Sequence, residues 1–320
     1  MRAAPVAFLV LAACASATPP AKKPIAEVPF VLDAKDDAFA DVSASTSGDD
    51  DAKSATIAYA PGRVRAPIVH GSVRGKATSM LVDTGASRNF VADWLAHKIF
   101  ETENGASASD HAGRTIAITK MDQARIKIDG IGALPDDTAM LLHDASGSEE
   151  SGIGVTMSPQ SLGKVGLVLI DFPHRRLSVV RSHAEVDKAM PKGPALAPAT
   201  YCRGIYIMNA KIGDAPARLM LDTGAYATDL HPRSQPAKAL TFHSSDGQGA
   251  SMGAAGAIAY HRLPALLVTS GAVKTTVDVM LLDEVNEDPY CPFDGVLGMD
   301  VLQNCALVVE DRTITGRCAP

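Results

Sequence analysis

One seven-residue pattern, three apolar residues and then Asp-Thr-Gly-Ala, occurs twice in this chain. Met80-Leu81-Val82-Asp83-Thr84-Gly85-Ala86 recurs as Leu219-Met220-Leu221-Asp222-Thr223-Gly224-Ala225. Both copies place an apolar, β-prone run directly before Asp-Thr-Gly, the pattern of a strand running into a tight turn. The surroundings repeat as well. A hairpin-like approach precedes each copy, Pro67 to Val82 and Gly204 to Leu221. A glycine-containing apolar string follows later, Gly152-Ile153-Gly154-Val155 in the first half and Asp294-Gly295-Val296-Leu297-Gly298-Met299-Asp300-Val301-Leu302 in the second. Each half then closes with a strand pair, 165 to 180 and 306 to 318. Matched order of elements in two copies indicates an internal duplication rather than a many-repeat solenoid.

Strands are expected over 64–73, 79–82, 124–128, 166–170, 204–212, 218–221, 263–269, 277–282 and 306–310, from β-branched content and flanking turn residues. Helices are expected only at 93–100 and near 299–303. Aromatic residues are 5% of the chain, so the cores must be built from Val, Leu, Ile, Met and Ala. The net charge of −6, with no cluster of Lys and Arg, argues against nucleic acid as a partner.

The two apolar-apolar-Asp-Thr-Gly-Ala motifs, each with a downstream apolar-Gly, resemble those of the aspartic peptidase superfamily. The likeness runs over roughly 62–320. Ala after Gly in both copies is similar to the retroviral type, the duplicated single chain to the pepsin arrangement, and Asp294 to Leu302 to bacterial retropepsin-like proteins. The resemblance implies a mainly β, two-lobed acid-protease fold. A cleft would lie between the lobes, with one Asp from each and a glycine-rich flap above. Glu103 to Arg114 and Ser245 to Gly256 are the flap candidates, and a surface loop is an equal reading of either.

Peptide-bond hydrolysis suits such a pair. Two carboxylates held close cannot both ionise readily, so the pair keeps one proton over a useful pH range. The ionised member serves as base toward water and the protonated member as acid toward the carbonyl. Asp83 and Asp222 are thus the catalytic candidates. Thr84 and Thr223 would hydrogen-bond across the lobe interface. Gly85 and Gly224 would permit the tight turns, and Gly154 and Gly298 would let a neighbouring strand pass beneath each loop. No metal or organic cofactor is needed. The expected substrate is an extended polypeptide. One chain carries both Asp residues, so a monomer suffices. The alternative is a catalytically silent peptide- or envelope-binding module of the same fold. Gly249-Ala250-Ser251-Met252-Gly253 fits a serine-hydrolase string but lacks the strand-to-helix context such a nucleophile requires. It reads as a loop.

The N-terminal stretch reads as an address. Arg2 and the apolar run Val6 to Leu11 suit an export signal, and Leu11-Ala12-Ala13-Cys14 resembles a bacterial lipobox. On that reading 1–13 is removed, and Cys14 carries lipid that holds the protein on a membrane surface of the bacterial envelope. Ordinary secretion, with Ala15-Ser16-Ala17 as the cleavage site, is the other reading. Residues 14–60, rich in Ala, Pro, Ser, Lys and Asp, read as a tether. The first lobe is expected over 61–184, a Pro- and Ala-rich linker over 185–200, and the second lobe over 201–320. In an oxidising compartment the remaining four cysteines can form two disulfides. Cys305 and Cys318 lie at equal distance from a hairpin centre near Asp311-Arg312, which leaves Cys202 with Cys291. Zinc is the rival use, but no CxxC spacing occurs.

Overall fold

The computed structural model describes residues 53–59, 66–96, 105–109, 115–135, 138–143, 149, 152–164, 166–240, 247–253, 256–283, 285 and 289–320. The export signal, Cys14 and most of the tether lie outside the described residues.

Each half starts from a tight hairpin. Pro67–Val73 and Lys76–Val82 pair antiparallel around Arg74 and Gly75, both with positive φ (47° and 81°). That left-handed turn matches the twist of the flanking strands. In the second half Ile205–Ile212 and Ala215–Leu221 pair in the same way. The second strand of each hairpin carries the repeated motif, and a later strand joins it in parallel: Ile153–Met157 in the first half and Gly295–Leu297 in the second. That strand also pairs antiparallel with a short strand after the motif, Phe90–Ala92 or Asp229–Leu230. A further parallel strand covers the short one, Ala139–Leu142 or Val273–Leu282. The duplication read in the residues is therefore also a duplication of strand pairings.

The halves meet through their closing hairpins. Leu167–Asp171 pairs with Arg176–Val180, Cys305–Val309 pairs with Thr313–Cys318, and the two hairpins join antiparallel with Leu169 opposite Val308. Lys53–Thr56 lines one edge of this joint sheet and Ala199–Cys202 the other. The sheet continues into the second lobe, with 13 strands among the described residues, and the first lobe has its own sheet, with 10 among them. The architecture is mainly β, two-lobed and pepsin-like.

The core is built from aliphatic residues and methionine, with Tyr206 and Phe172 the largest fully buried side chains. Burial of a ring such as Phe172 contributes about 1.5–3 kcal/mol. The Tyr206 hydroxyl donates to the carbonyls of Glu310 and Asp311 (3.0 and 3.2 Å), which pins the last hairpin turn. Burial pushes its phenol up to about 12.

Several boundaries differ from the expectations. Folded chain is already present at Lys53, within the supposed tether, and Ile57 is fully buried. The supposed linker is packed: Leu196 is buried, its N–H donates to Gly316, and the Cys318 N–H donates to Pro194. The composition of 185–200 suggested a spacer, yet its backbone closes the edge of the joint sheet. A helix at His183–Ala189 lies outside the expected ones; Ser182 caps it by accepting from the Glu185 N–H, and the Glu185 carboxylate accepts from the Arg181 N–H. Gln235–Ala239, capped by Ser234, was also missed. The predicted helices are described at Asp93–Ala96 and Met299–Leu302. The four cysteines form the disulfides Cys202–Cys291 and Cys305–Cys318, the second between directly opposed residues.

Candidate active site

Both Asp-Thr-Gly loops sit at the end of a hairpin strand, and each is tied to the parallel strand beside it. The Asp83 N–H donates to Met157 (2.9 Å) and the Asp222 N–H to Leu297 (3.1 Å). Each loop then folds back on its own carboxylate. Asp83 Oδ1 accepts from the N–H groups of Gly85 and Ala86 at 2.8 and 3.0 Å. Asp222 Oδ1 accepts from Gly224 and Ala225 at 2.7 and 3.2 Å. One oxygen of each carboxylate is thereby held by backbone donors, which fixes the plane of the group.

The threonines lock the loops to each other. Thr84 Oγ1 donates to the Leu221 carbonyl (2.9 Å) and accepts from the Thr223 N–H (3.0 Å). Thr223 Oγ1 donates to the Val82 carbonyl (2.6 Å) and accepts from the Thr84 N–H (3.1 Å). Both threonines are fully buried, where an unpaired hydroxyl or amide costs about 1–3 kcal/mol.

The glycines face the opposite aspartates. A Cβ on Gly85 would lie 2.6 Å from Asp222 Cγ, and one on Gly224 would lie 2.7 Å from Asp83 Cγ. A side chain at either position would push the carboxylates apart. Asp222 is buried and Asp83 half-buried. Burial, then the charge and proximity of the Asp222 carboxyl, hold the Asp83 carboxyl well above the usual carboxylate range, against the pull of the Gly85 and Ala86 N–H groups. Asp83 thus holds its proton more tightly than an ordinary carboxyl does.

The strands beneath the loops are less symmetric than the glycines suggested. Gly298 does pass under the second loop, where a Cβ would meet the Ala227 carbonyl at 2.5 Å and the Ala225 oxygen at 3.0 Å. Its counterpart by register is Ser158, because Met157 stands opposite Val82 as Leu297 stands opposite Leu221. Gly154 lies instead against Thr78 and Leu95, away from the Asp83 loop. A register irregularity between Ile153 and Val155 separates the apparent glycine motif from the position under the loop.

Four further residues support the loops and were not singled out. Asn89 Oδ1 accepts from the Ser158 N–H (3.0 Å) and the Ser161 hydroxyl (3.3 Å). In the second lobe Asp300 accepts from the Thr228 N–H (2.9 Å) and hydroxyl (2.8 Å), and the Thr228 hydroxyl accepts from the Gly298 N–H (3.3 Å). Burial raises the Asp300 carboxyl, and these donors offset part of the rise. The signal available was positional: Asn89 and Thr228 each stand six residues past their Asp. Tyr226, the counterpart of Ser87, directs its hydroxyl to Met280 Sδ (3.4 Å).

Both flap candidates are arms of β-hairpins. Gly105–Ser109 pairs with Thr115–Met121, and Gln248–Gly253 with Gly256–Ser270; the tips at 110–114 and 254–255 lie outside the described residues. Ser251 is thus on a strand that turns into another strand, rather than in the expected loop, and no helix follows it.

Residues 208–301, which hold the second Asp-Thr-Gly and Gly298, match the family model described as aspartyl protease. No curated protein matches the chain. Among solved structures, an aspartic proteinase from Irpex lacteus is 14% identical with a TM-score of 0.49, over 83% of this chain and 97% of that one. In its second lobe, then, the chain is similar to aspartyl proteases.

Proposed function

We propose that this protein is an aspartic endopeptidase that hydrolyses peptide bonds with a water activated between Asp83 and Asp222. The observation that carries the reading is the mutual fit of the two loops: each carboxylate rests on the glycine of the other loop, and the threonines lock the loops together. Binding alone gives no reason to confine two carboxylates so closely. The ionised carboxylate takes a proton from water as the oxygen attacks the peptide carbonyl carbon. The protonated carboxyl gives its proton to the carbonyl oxygen. Collapse of the resulting diol breaks the C–N bond: the proton taken from water passes to the leaving nitrogen, and one diol hydroxyl returns its proton to the other, now ionised carboxylate, which restores the pair. The backbone N–H groups and the threonine lock keep both carboxylates in place, so little reorganisation is needed during the reaction.

The substrate is an extended polypeptide lying between the lobes, and a single chain is the catalytic unit. The two disulfides support an exported protein. Export and lipid attachment at Cys14 rest on the N-terminal residues. The test is incubation of the soluble form, begun near residue 50, with an undirected peptide mixture from pH 3 to 8. Mass spectrometry reads the cuts. Cleavage is expected for the native protein and not for Asp83→Asn or Asp222→Asn. Cuts that survive in either variant, or a folded native protein that cuts nothing across the range, would contradict the reading.

A further inference from the structure

The turn between Ala199–Cys202 and Ile205–Ile212 belongs to the second half but rests on the first. Arg203 and Gly204 form it, both with positive φ (49° and 103°), and Cys202 faces Ile205 across it. Gly204 is buried. A Cβ there would lie 2.5 Å from Ser87 Cβ, so the backbone of the turn lies directly against the residue that follows Ala86. The Gly204 carbonyl accepts from Gln160 Nε2 (3.1 Å). Gln160 stands between Ser158 and Ser161, the two residues that Asn89 holds. The turn therefore touches the Asp83 loop at Ser87 and, through Gln160, the segment that braces the far end of that loop.

The strand ladders stop short of this tip. Ile205–Ile212 pairs with Ala215–Leu221 from Ile207 onward. Ala199–Cys202 pairs with the closing hairpin at Ala199 and Thr200, with one further bond from the Tyr201 N–H to Arg312. Beyond those points the Cys202–Cys291 disulfide ties the tip to the second lobe. Its other end is firmly seated. Cys291 is buried. Three residues on, the Asp294 carboxylate accepts from the Arg218 N–H (2.8 Å), the Asp294 N–H donates to the Arg218 carbonyl (2.7 Å), and the Asp294 carbonyl accepts from the His231 N–H (2.8 Å). The Cys305–Cys318 disulfide is differently placed, because it joins residues that the closing hairpin already holds opposite each other.

We propose that the Cys202–Cys291 disulfide positions Asp83: it holds the Arg203–Gly204 turn on Ser87 and Gln160, which keeps the Ala86 N–H on the Asp83 carboxylate. Ser87 follows Ala86 directly, so a displaced Ser87 shifts the donor that lies 3.0 Å from Asp83 Oδ1. The effect on turnover rests on the peptidase reading; the effect on the loop does not.

The test compares the double variant Cys202→Ala, Cys291→Ala with Cys305→Ala, Cys318→Ala in the otherwise native chain. Two readouts run together: kcat and KM on a cleaved peptide, and residue-resolved hydrogen exchange by NMR, which needs no turnover. Loss of Cys202–Cys291 should lower kcat about tenfold with KM nearly unchanged, since a small misplacement of a catalytic group is enough. Exchange at Gly85 and Ala86 should quicken about tenfold, while that at Gly224 and Ala225 stays as it was. Loss of Cys305–Cys318 should lower Tm and move neither readout. Gln160→Ala keeps both disulfides and frees the same turn. It should lower kcat about threefold alone and add little in the Cys202→Ala, Cys291→Ala background, because both changes act through one contact. If the disulfide variant does not fold, Gln160→Ala carries the test through exchange at Gly85 and Ala86. An unchanged kcat, unchanged exchange at Gly85 and Ala86, equal quickening in both loops, or an additive loss from Gln160→Ala overturns the proposal. If the native protein cuts nothing yet the one-sided exchange pattern is present, the peptidase reading fails and the positioning role stands.

Discussion

The two Asp-Thr-Gly loops are alike where they meet and unlike where they are supported. At the meeting point each aspartate has the same pair of backbone donors, each threonine makes the same two crossing bonds, and each glycine lies under the opposite carboxylate. One layer out, the first lobe uses a neutral amide, Asn89, to hold Ser158 and Ser161, whereas the second uses a carboxylate, Asp300, to hold Thr228. Pairing two carboxylates demands one geometry from both sides. Bracing a loop against its neighbouring strand can be met by either chemistry, so the halves are free to differ there.

The largest effect should come from the shared layer. Asp83→Asn and Asp222→Asn should each lower kcat by about a thousandfold or more, since either loss removes acid–base catalysis. Steady-state rates on a cleaved peptide check this, and a clear inequality between the two variants would break the symmetry. Next come Gly85→Ala and Gly224→Ala. Each methyl group displaces the opposite carboxylate, and misplacement by about an ångström costs about a hundredfold. Both should lose rate together while circular dichroism shows an intact fold.

Substitutions in the outer layer should act on stability before rate. Asn89→Ala strips a buried acceptor and Asp300→Ala a half-buried one, each at a cost of about 1–3 kcal/mol, measured by urea denaturation. The Asp300 variant should also alter the pH dependence of stability, because its carboxyl is raised in the folded state, and the Asn89 variant should not.

The subtlest prediction concerns Asp83 itself. Its carboxyl is raised on folding, so the folded protein binds more protons than the unfolded chain above the ordinary aspartate value of 3.8. The group therefore costs stability as pH rises through that window. Asp83→Asn should be more stable than the native protein near neutral pH, with the difference shrinking toward pH 3. A difference in Tm that does not vary with pH would contradict the account.

The layer in which the two Asp-Thr-Gly loops meet is legible in the residues because it repeats in two contiguous strings and the strands before them carry apolar patterning. The bracing layer is not. Asn89 and Ser158 are 69 residues apart, and Thr228 and Asp300 are 72, so their partnership exists only after the parallel strands have paired. Gly154 drew attention as a glycine in an apolar string, but the irregular register at Ile153–Val155 placed Ser158 under the loop. The stretch 185–200 looked like a spacer by composition. Its contribution is backbone hydrogen bonding at a sheet edge, which composition does not encode. Ile57 likewise sits at the end of a polar, Asp-rich segment, with too little apolar patterning around it to mark a strand.

The central claim is that Asp83 and Asp222 form one proton-sharing pair. Carboxyl 13C NMR of the aspartates, followed from pH 3 to 9 in the native protein and in Asp222→Asn, tests it most directly. The account predicts coupled titrations in the native protein, with one proton retained well above 3.8. In Asp222→Asn the Asp83 carboxyl should move back toward that value and stop short of it, because burial remains. Two independent carboxyls titrating near 3.8 in the native protein would contradict it.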